Sequence, residues 1–182
     1  ATPILKNPAN HPESLFYPFH DESYAAHVIT PDSDVAVIGV GGGRDVLAAR
    51  AWNQPSITGI EINSRIIEAI GGRYFSYSGG MTEWPGVEIV HDEARSFLAR
   101  SQKKFDIIQA SLIDTFAATA AGAFVLTDNG LYTMEGWNDF LDHLKPDGIL
   151  TMSRWYTEGY HVESIRLLAL ARAVLELSLI HI

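Results

Sequence analysis

Short apolar-rich runs alternate with amphipathic segments along most of the chain. Five runs of four to six residues predict buried strands, and they lie at Val35–Val40, Ser56–Ile60, Val87–Val90, Phe105–Ala110 and Ile149–Ser153. The segments between and after them have helical character, at Gly43–Trp52, Ser64–Ile70, Ala94–Ser101, Thr133–Leu144 and His161–Glu176. Strands that alternate with helices of this length predict an α/β fold with a parallel sheet covered on both faces.

Local signals predict where two of these helices stop. Apolar residues share one helical face of the segment Thr133–Leu144, at Trp137, Phe140, Leu141 and Leu144, and the following KPDG (145–148) predicts a helix stop and a turn. The segment Ser64–Ile70 is followed by Gly71 and Gly72, which predict a left-handed C-terminal stop. A loop rich in Gly, Ser and Tyr is expected after that stop, over Tyr74–Gly86.

Three segments define the expected domain organisation. Residues 1–34 contain four prolines among aromatic residues before position 20 and predict an irregular lead-in, whereas residues 35–176 predict one α/β domain. The last six residues, LSLIHI (177–182), resemble the translation of a transposon-end adaptor used in sequencing libraries. We therefore expect a non-native tail on a domain that is incomplete at its C-terminus. The fifth strand would then be an exposed sheet edge, which favours self-association.

Composition and charge mainly exclude classes of function. The formal net charge of -9 over 182 residues argues against nucleic-acid binding, which depends on Lys and Arg. The absence of cysteine excludes disulfides and thiolate metal ligands, and the seven histidines lack a repeated ligand spacing, so no metal site is expected. No signal peptide or 18-residue apolar run is present, so the expected location is the cytoplasm. Membrane attachment is expected only through parts of a longer protein.

The stretch VAVIGVGGGRDV (35–46) leads from the first predicted strand through a glycine-rich turn into a helix. Such a turn allows a ligand to approach the backbone and the helix N-terminus. A dinucleotide-binding fingerprint requires a sixth-position glycine, and the sixth position counted from Gly39 is Arg44. Gly39, Gly41 and Gly43 instead give the spacing G-x-G-x-G, which is usual for S-adenosylmethionine (SAM). The adjacent Gly42 completes the candidate cofactor-binding turn.

Acidic residues follow the next two predicted strands. Glu61 ends the second strand, where a carboxylate can accept hydrogen bonds from both ribose hydroxyls of an adenosine-type ligand. The segment HDEAR (91–95) follows the third strand, so Asp92 or Glu93 can accept from an adenine amino group while the Ala94 amide meets the ring edge. The alternatives are a solvated carboxylate at Glu61 and an acidic helix start at HDEAR.

These motifs, in this order, resemble the spermidine synthase (polyamine aminopropyltransferase) family of the class I SAM-dependent methyltransferase superfamily. The resemblance covers about residues 21–155, with HDESY (20–24) as a shorter echo ahead of the first strand. It rests on IGVGGGRDV, GIEIN, VEIVHDEARSFL, FDIIQASLID and LYTMEGWNDFLDHLKPDGIL. It implies a Rossmann-like fold with the strand order 3-2-1-4-5, here lacking the last two strands.

By this similarity the nucleoside of SAM or decarboxylated SAM would be bound by residues at three strand ends. Gly39, Gly41 and Gly43 would cradle it, Glu61 would hold the ribose, and Glu93, with Asp92 as its competitor, would reach the adenine. The family's D-x-x-D motif is only half present, because its first Asp falls on Ser111 and its second on Asp114. The family's Asp in the glycine turn falls on Gly42.

These departures argue against spermidine synthesis itself, because serine is a poor general base at neutral pH. Ser111 and Asp114 remain the candidate catalytic residues. Asp114 would steer an acceptor amine or hydroxyl, and its alternative role is a helix cap. The predicted function is therefore a SAM-dependent transferase that moves an aminopropyl or methyl group to a small acceptor. The alternative is a non-catalytic nucleoside-binding module of a larger protein, either with or without membrane attachment.

Overall fold

The chain folds around one parallel sheet of five strands. The computed structural model describes residues 22–113, 130–154, 158 and 161–179. The strands are β1 (Asp34–Ile38), β2 (Ser56–Glu61), β3 (Val87–His91), β4 (Phe105–Ser111) and β5 (Leu144–Ser153). Their order is β3-β2-β1-β4-β5, and every neighbouring pair is parallel. The predicted α/β class and the strand order 3-2-1-4-5 are confirmed.

Six α-helices accompany these strands in the described part of the chain. They are α1 (Ala25–Ile29), α2 (Arg44–Ala51), α3 (Ser64–Glu68), α4 (Ala94–Arg100), α5 (Met134–Asp142) and α6 (Val162–Leu179). Side-chain caps begin α3 and α5, because Asn63 accepts from the N–H of Arg65 and Thr133 accepts from the N–H of Gly136. None of the described helices is long and apolar enough to cross a membrane.

The sheet is covered by apolar side chains on both faces. Alternate residues of β1 point to opposite sides, so Val35 and Val37 pack with one cluster that includes Val46 of α2. Ala36 and Ile38 pack with the other cluster, whose buried members include Phe140 of α5. Because β1 is central and buried on both faces, its carboxyl end is fixed in position by packing from two layers.

At the amino ends of the strands, one lysine joins three elements. The Nζ atom of Lys145 in β5 lies 2.5 Å from a carboxylate oxygen of Asp34 in β1 and 2.8 Å from one of Asp106 in β4. The same oxygen of Asp106 accepts the backbone N–H of Asp34 at 2.7 Å. This group, Lys145, Asp34 and Asp106, is called the amino-edge ion cluster below, and it ties the strands together at the edge away from their carboxyl ends.

The expected irregular lead-in is helical over residues 22–29. Residues Glu22–Tyr24 form a 3-10 turn that continues into α1. Ala26 and His27 of α1 are buried, which gives the segment a packing role that the proline-rich composition upstream did not predict. The prediction of an irregular segment is therefore wrong for residues 22–29, while residues 1–21 lie outside the described range.

The two predicted helix stops differ in outcome: the stop at Gly71 and Gly72 is wrong, whereas α5 does stop ahead of KPDG, which lies within a strand and not in a separate turn. Gly71 and Gly72 are not left-handed, and α3 instead continues as a π-helical turn over Ala69–Arg73. The left-handed glycines come later, at Gly79 and Gly80, with φ of 75° and 70°. Helix α5 ends at Asp142, before the KPDG sequence, which lies within β5 and contains Asp147 at φ 65°. Helix α6 runs to Leu179, into the segment predicted as a tail.

Candidate functional site at the carboxyl edge of the sheet

The glycine-rich turn between β1 and α2 has the conformation that only glycine adopts readily. Gly39, Gly41 and Gly43 have φ of 76°, 52° and 92°, so each alternate glycine of the G-x-G-x-G motif is positive. A Cβ at Gly39 would lie 2.9 Å from Cγ2 of Ile113, and one at Gly43 would lie 2.4 Å from Sδ of Met81. The positive φ favours glycine at all three positions, and at two of them a Cβ would also require a neighbouring side chain to move. Gly42 is buried and has no positive φ.

Glu61, at the end of β2, is directed into this turn. Its side chain is buried, and its Oε2 accepts the backbone N–H of Gly41 at 2.9 Å. Its Oε1 accepts the backbone N–H of Asn63, also at 2.9 Å. Charge-assisted hydrogen bonds of this kind compensate the burial of a carboxylate. Each oxygen also keeps an unused lone pair, so the group retains the capacity to accept hydrogen bonds from a ligand.

The residues after β3 lie beside Glu61 and are already engaged with helix α4. Glu93 accepts the backbone N–H groups of Arg95 and Ser96 at 3.0 and 2.8 Å, so it is the N-cap of α4. Asp92 accepts the N–H of Glu93 at 2.8 Å and pairs with Arg100. This geometry matches the alternative of an acidic helix start.

The expected adenine contacts stay predictions. The backbone N–H of Asp92 donates to the carbonyl of Glu61 at 3.1 Å, so the two strand ends are joined. Ala94 is buried at the first turn of α4. The predicted nucleoside-binding residues after β1, β2 and β3 are thus brought to one edge of the sheet.

Of the two predicted catalytic residues, one lies within the described range. Ser111 is the last residue of β4 and is paired in register with Ser153 of β5. Its Oγ accepts a hydrogen bond from Nε2 of Gln109 at 3.4 Å. Asp114 lies outside the described residues. Among the residues that are described, no three His, Asp or Glu side chains are gathered as metal ligands.

The structure places two features at this edge that sequence reasoning missed. Ile62, directly after Glu61, is 52% exposed, and its carbonyl contacts Nε2 of His91 at 3.1 Å. It therefore offers apolar surface between the ends of β2 and β3. The other feature is buried polar residues beneath Ser111, at His27 and Gln109. The exposed position of Ile62 could have been inferred from its place directly after Glu61 at the end of a strand. The isolated His27 offered no such indication in the sequence.

Comparison with known proteins yields distant relatives. No protein-family model matches the chain. A polyamine aminopropyltransferase of Korarchaeum cryptofilum (strain OPF8) is 20% identical over 162 residues, which cover 88% of this chain and 47% of that protein. The chain thus spans about half the length of this curated relative.

Solved structures give the same fold. A spermidine synthase of Thermotoga maritima aligns with a TM-score of 0.59 at 21% identity, covering 88% of this chain and 50% of that one. A spermidine synthase in complex with the transition-state analogue AdoDATO gives the same values. Human methyltransferase-like protein 13 in complex with SAH has a TM-score of 0.59 at 13% identity, with 87% and 72% covered. The chain therefore has the Rossmann-like fold of class I SAM-dependent methyltransferases, and its sequence is similar to a member of the spermidine synthase (polyamine aminopropyltransferase) family.

Proposed function

We propose that this chain is the nucleoside-binding domain of a SAM-dependent transferase, which moves an aminopropyl or methyl group from a sulfonium donor to a small acceptor such as an amine. The observation that carries the proposal is the carboxylate of Glu61 inside the glycine turn, 2.9 Å from the N–H of Gly41. A buried carboxylate that is held by backbone donors, at a strand end beside an open turn, is suited to bind ribose hydroxyls.

In this proposal the nucleoside lies across the carboxyl ends of β1, β2 and β3. The ribose hydroxyls donate to the free lone pairs of Glu61, and the base lies on the exposed side chain of Ile62. Asp92 or Glu93 then supplies the acceptor for the adenine amino group, with the Ala94 amide at the ring edge. The likeness to a spermidine synthase with AdoDATO and to a methyltransferase-like protein with SAH supports a ligand of this class.

The reaction requires little from the protein beyond positioning and the exclusion of water. A lone pair of the acceptor attacks a carbon bonded to the sulfonium, a new bond to that carbon forms, and the carbon–sulfur bond breaks. The thioether leaves with the bonding electrons, and an amine acceptor releases its proton to solvent. We place Ser111 and Asp114 at the end of β4, between the sulfonium end of the donor and the acceptor. Decarboxylated SAM with attack on the propyl carbon gives aminopropyl transfer, and SAM with attack on the methyl carbon gives methyl transfer.

The proposed surroundings are an aqueous, cytoplasmic compartment and a small-molecule acceptor. The net charge of -9 is unfavourable for nucleic-acid partners and compatible with a cationic acceptor. The alternative of a non-catalytic module gains no support from the comparisons, since the relatives are named as enzymes. Incubation with decarboxylated SAM and putrescine, or with SAM and small amines, followed by product analysis, tests for transfer.

Calorimetry tests the nucleoside site itself. We expect binding of SAM, decarboxylated SAM or methylthioadenosine, and a loss of about tenfold or more in affinity for Glu61→Ala, because a charge-assisted pair of hydrogen bonds is lost. The matched control is Glu88→Gln, since Glu88 is an exposed glutamate on β3. Unchanged affinity in a folded Glu61→Ala variant, or the absence of binding by all three nucleosides, would contradict the proposal.

A further inference from the structure

A chain of buried polar side chains lies under Ser111, on a face of the sheet that is otherwise apolar. His27 of α1, Gln54 and Gln109 of β4 are each 1% exposed or less. Their apolar neighbours on this face include Val37 and Ile107. Polar groups that are buried this fully need hydrogen-bond partners, and the partners fix how each group is oriented. We call Gln54, His27, Gln109 and Ser111 the polar chain.

The first link of the polar chain fixes the tautomer of His27. Gln54 accepts the backbone N–H of Ser33 with its Oε1 at 2.7 Å, so its Nε2 is directed the other way. That nitrogen donates to the carbonyl of Thr30 at 3.0 Å and lies 3.4 Å from Nδ1 of His27. Because an amide nitrogen only donates, Nδ1 of His27 accepts, and the proton of the neutral ring lies on Nε2.

The second link fixes the orientation of Gln109. Its Nε2 has two hydrogens and two acceptors, the carbonyl of Ser23 at 3.1 Å and Oγ of Ser111 at 3.4 Å. Its Oε1 has no hydrogen-bond partner in the described part of the chain, and neither has Nε2 of His27. These two atoms are complementary, since one accepts and the other donates.

The charge state of His27 agrees with this pairing. Burial lowers the pKa of His27 to about 4, and its interaction with the side chain of Gln109 opposes that shift. The ring is therefore neutral at pH 7, with one donor and one acceptor nitrogen. Gln54 thus donates to His27 and Gln109 donates to Ser111, and the Nε2–H of His27 and Oε1 of Gln109 are the complementary pair that would join these two bonds.

We propose that His27 and Gln109 are positioning residues that hold the Ser111 hydroxyl with its hydrogen directed into the site at the end of β4. The oxygen of Ser111 accepts from Gln109, so its own O–H is left to donate to a ligand. Ser111 lies two residues before Ile113, which approaches Gly39 of the glycine turn. The Ser111 hydroxyl is therefore available to donate to a hydrogen-bond acceptor of the ligand. Only this last step rests on the proposed function.

The orientation is tested without any ligand by nitrogen-15 NMR of labelled histidine. We expect His27 as the Nε2–H tautomer, with no titration between pH 8 and pH 5. We also expect Ser111→Ala to shift the side-chain amide hydrogens of Gln109, whereas Ser96→Ala, at an exposed serine of α4, should not. An Nδ1–H tautomer, or an unchanged Gln109 amide in Ser111→Ala, would overturn the proposal. The result of this NMR experiment does not depend on whether a nucleoside binds.

The effect on the site is tested by a double-mutant cycle with the nucleoside that binds most tightly in calorimetry. Ser111→Ala and His27→Leu should each weaken binding by about two- to tenfold, the range for one neutral hydrogen bond. If His27 acts through Ser111, the effect of His27→Leu disappears in the Ser111→Ala background. His27→Gln, which restores an N–H donor toward Gln109, should recover most of the affinity. Additive effects of the two changes in folded variants would assign His27 a merely structural role and refute the proposal.

Discussion

The carboxylates of Asp34 and Asp106, at the amino ends of the strands, and of Glu61, at the carboxyl end of β2, are stabilised in opposite ways. At the amino edge, Asp34 and Asp106 share the ammonium group of Lys145. At the carboxyl edge, Glu61 is bound by two backbone N–H groups and forms no ion pair with a described residue. A cation that neutralises a carboxylate leaves it little to offer a ligand, whereas backbone donors hold it in place and leave lone pairs free. From this difference we expect the amino edge to contribute to stability, and we assign the proposed binding role to the carboxyl edge.

As the pH falls, the polar chain should lower the free energy of unfolding at a higher pH than the amino-edge ion cluster does. The pKa of His27 is lowered to about 4, so between pH 6.5 and 4 the unfolded chain binds a proton that the folded chain does not. The free energy of unfolding should therefore fall by about 3 kcal/mol as the pH drops through this window, at 1.36 kcal/mol per pKa unit.

Urea unfolding at a series of pH values measures this dependence. His27→Gln should flatten the curve between pH 6.5 and 4, because the titrating ring is gone. The amino-edge ion cluster should not contribute there, since the hydrogen bond from Lys145 lowers the pKa of Asp34 below its usual value. An equally steep curve in His27→Gln would assign the acid sensitivity to other groups.

The glycine turn should be the most sensitive point of the carboxyl edge. Gly43→Ala forces a side chain into a φ of 92° and against Met81, so we expect a loss of about 2–3 kcal/mol in unfolding free energy. Gly72→Ala is the matched control, because no atom lies within 4 Å of the position that its Cβ would take and its φ is not positive. That change should be neutral or stabilising by up to about 1 kcal/mol. Equal melting temperatures for the two variants would contradict the steric argument.

Salt should distinguish the Glu61 contacts from those of Lys145. Glu61→Gln places an amide nitrogen against a backbone N–H, so we expect a loss of about 1–2 kcal/mol. Because Glu61 is buried, the difference between variant and parent should be nearly the same at about 0.05 and about 0.5 M NaCl. Thermal melts of both proteins at the two salt concentrations give the comparison. A loss that vanishes at high salt would mean that Glu61 acts through long-range charge.

The amino-edge ion cluster should give the smallest effect. Lys145 is about one-third exposed, so Lys145→Met should cost only about 0.5–1 kcal/mol at pH 7 after screening by solvent. Hydrogen bonds to Asp106 and Asp34 raise the pKa of Lys145, so this contribution is complete at neutral pH and disappears as the pH rises through that raised value. It also disappears in acid, as Asp34 becomes protonated below its lowered pKa. A salt-independent loss would contradict the comparison of the two edges.

Much of the fold was predictable because each strand is encoded by its own short apolar run. Continuous runs such as Val35–Val40 bury both faces, and only a parallel sheet between helix layers accommodates several of them. The presence of two glycines was a poorer guide to the end of a helix, since composition does not give the φ angle that each glycine adopts. Gly71 and Gly72 are in a π-helical turn, and the left-handed residues are Gly79 and Gly80.

The part of the candidate site that lies directly after a strand was predictable from the sequence. Glu61 and the glycine turn were identified because position after a strand is enough to bring them together. The polar chain was not, because His27 lies 27 residues from Gln54, and Gln109 lies 86 residues from Ser23. One polar residue within an apolar strand does not indicate which distant residue will pair with it. Glu93 is a third case. From the sequence its carboxylate could cap a helix or bind a ligand, and the structure shows it as the cap of α4.

The bond between Glu61 and Gly41 has a consequence for the thermodynamics of association. With the carboxylate already closed onto the turn, the backbone between β1 and α2 is ordered before any ligand arrives. The conformational entropy of that segment is then lost on folding instead of on binding, so a ligand retains more of its interaction energy as affinity. For the same reason we expect a ligand to associate without a slow phase of backbone rearrangement.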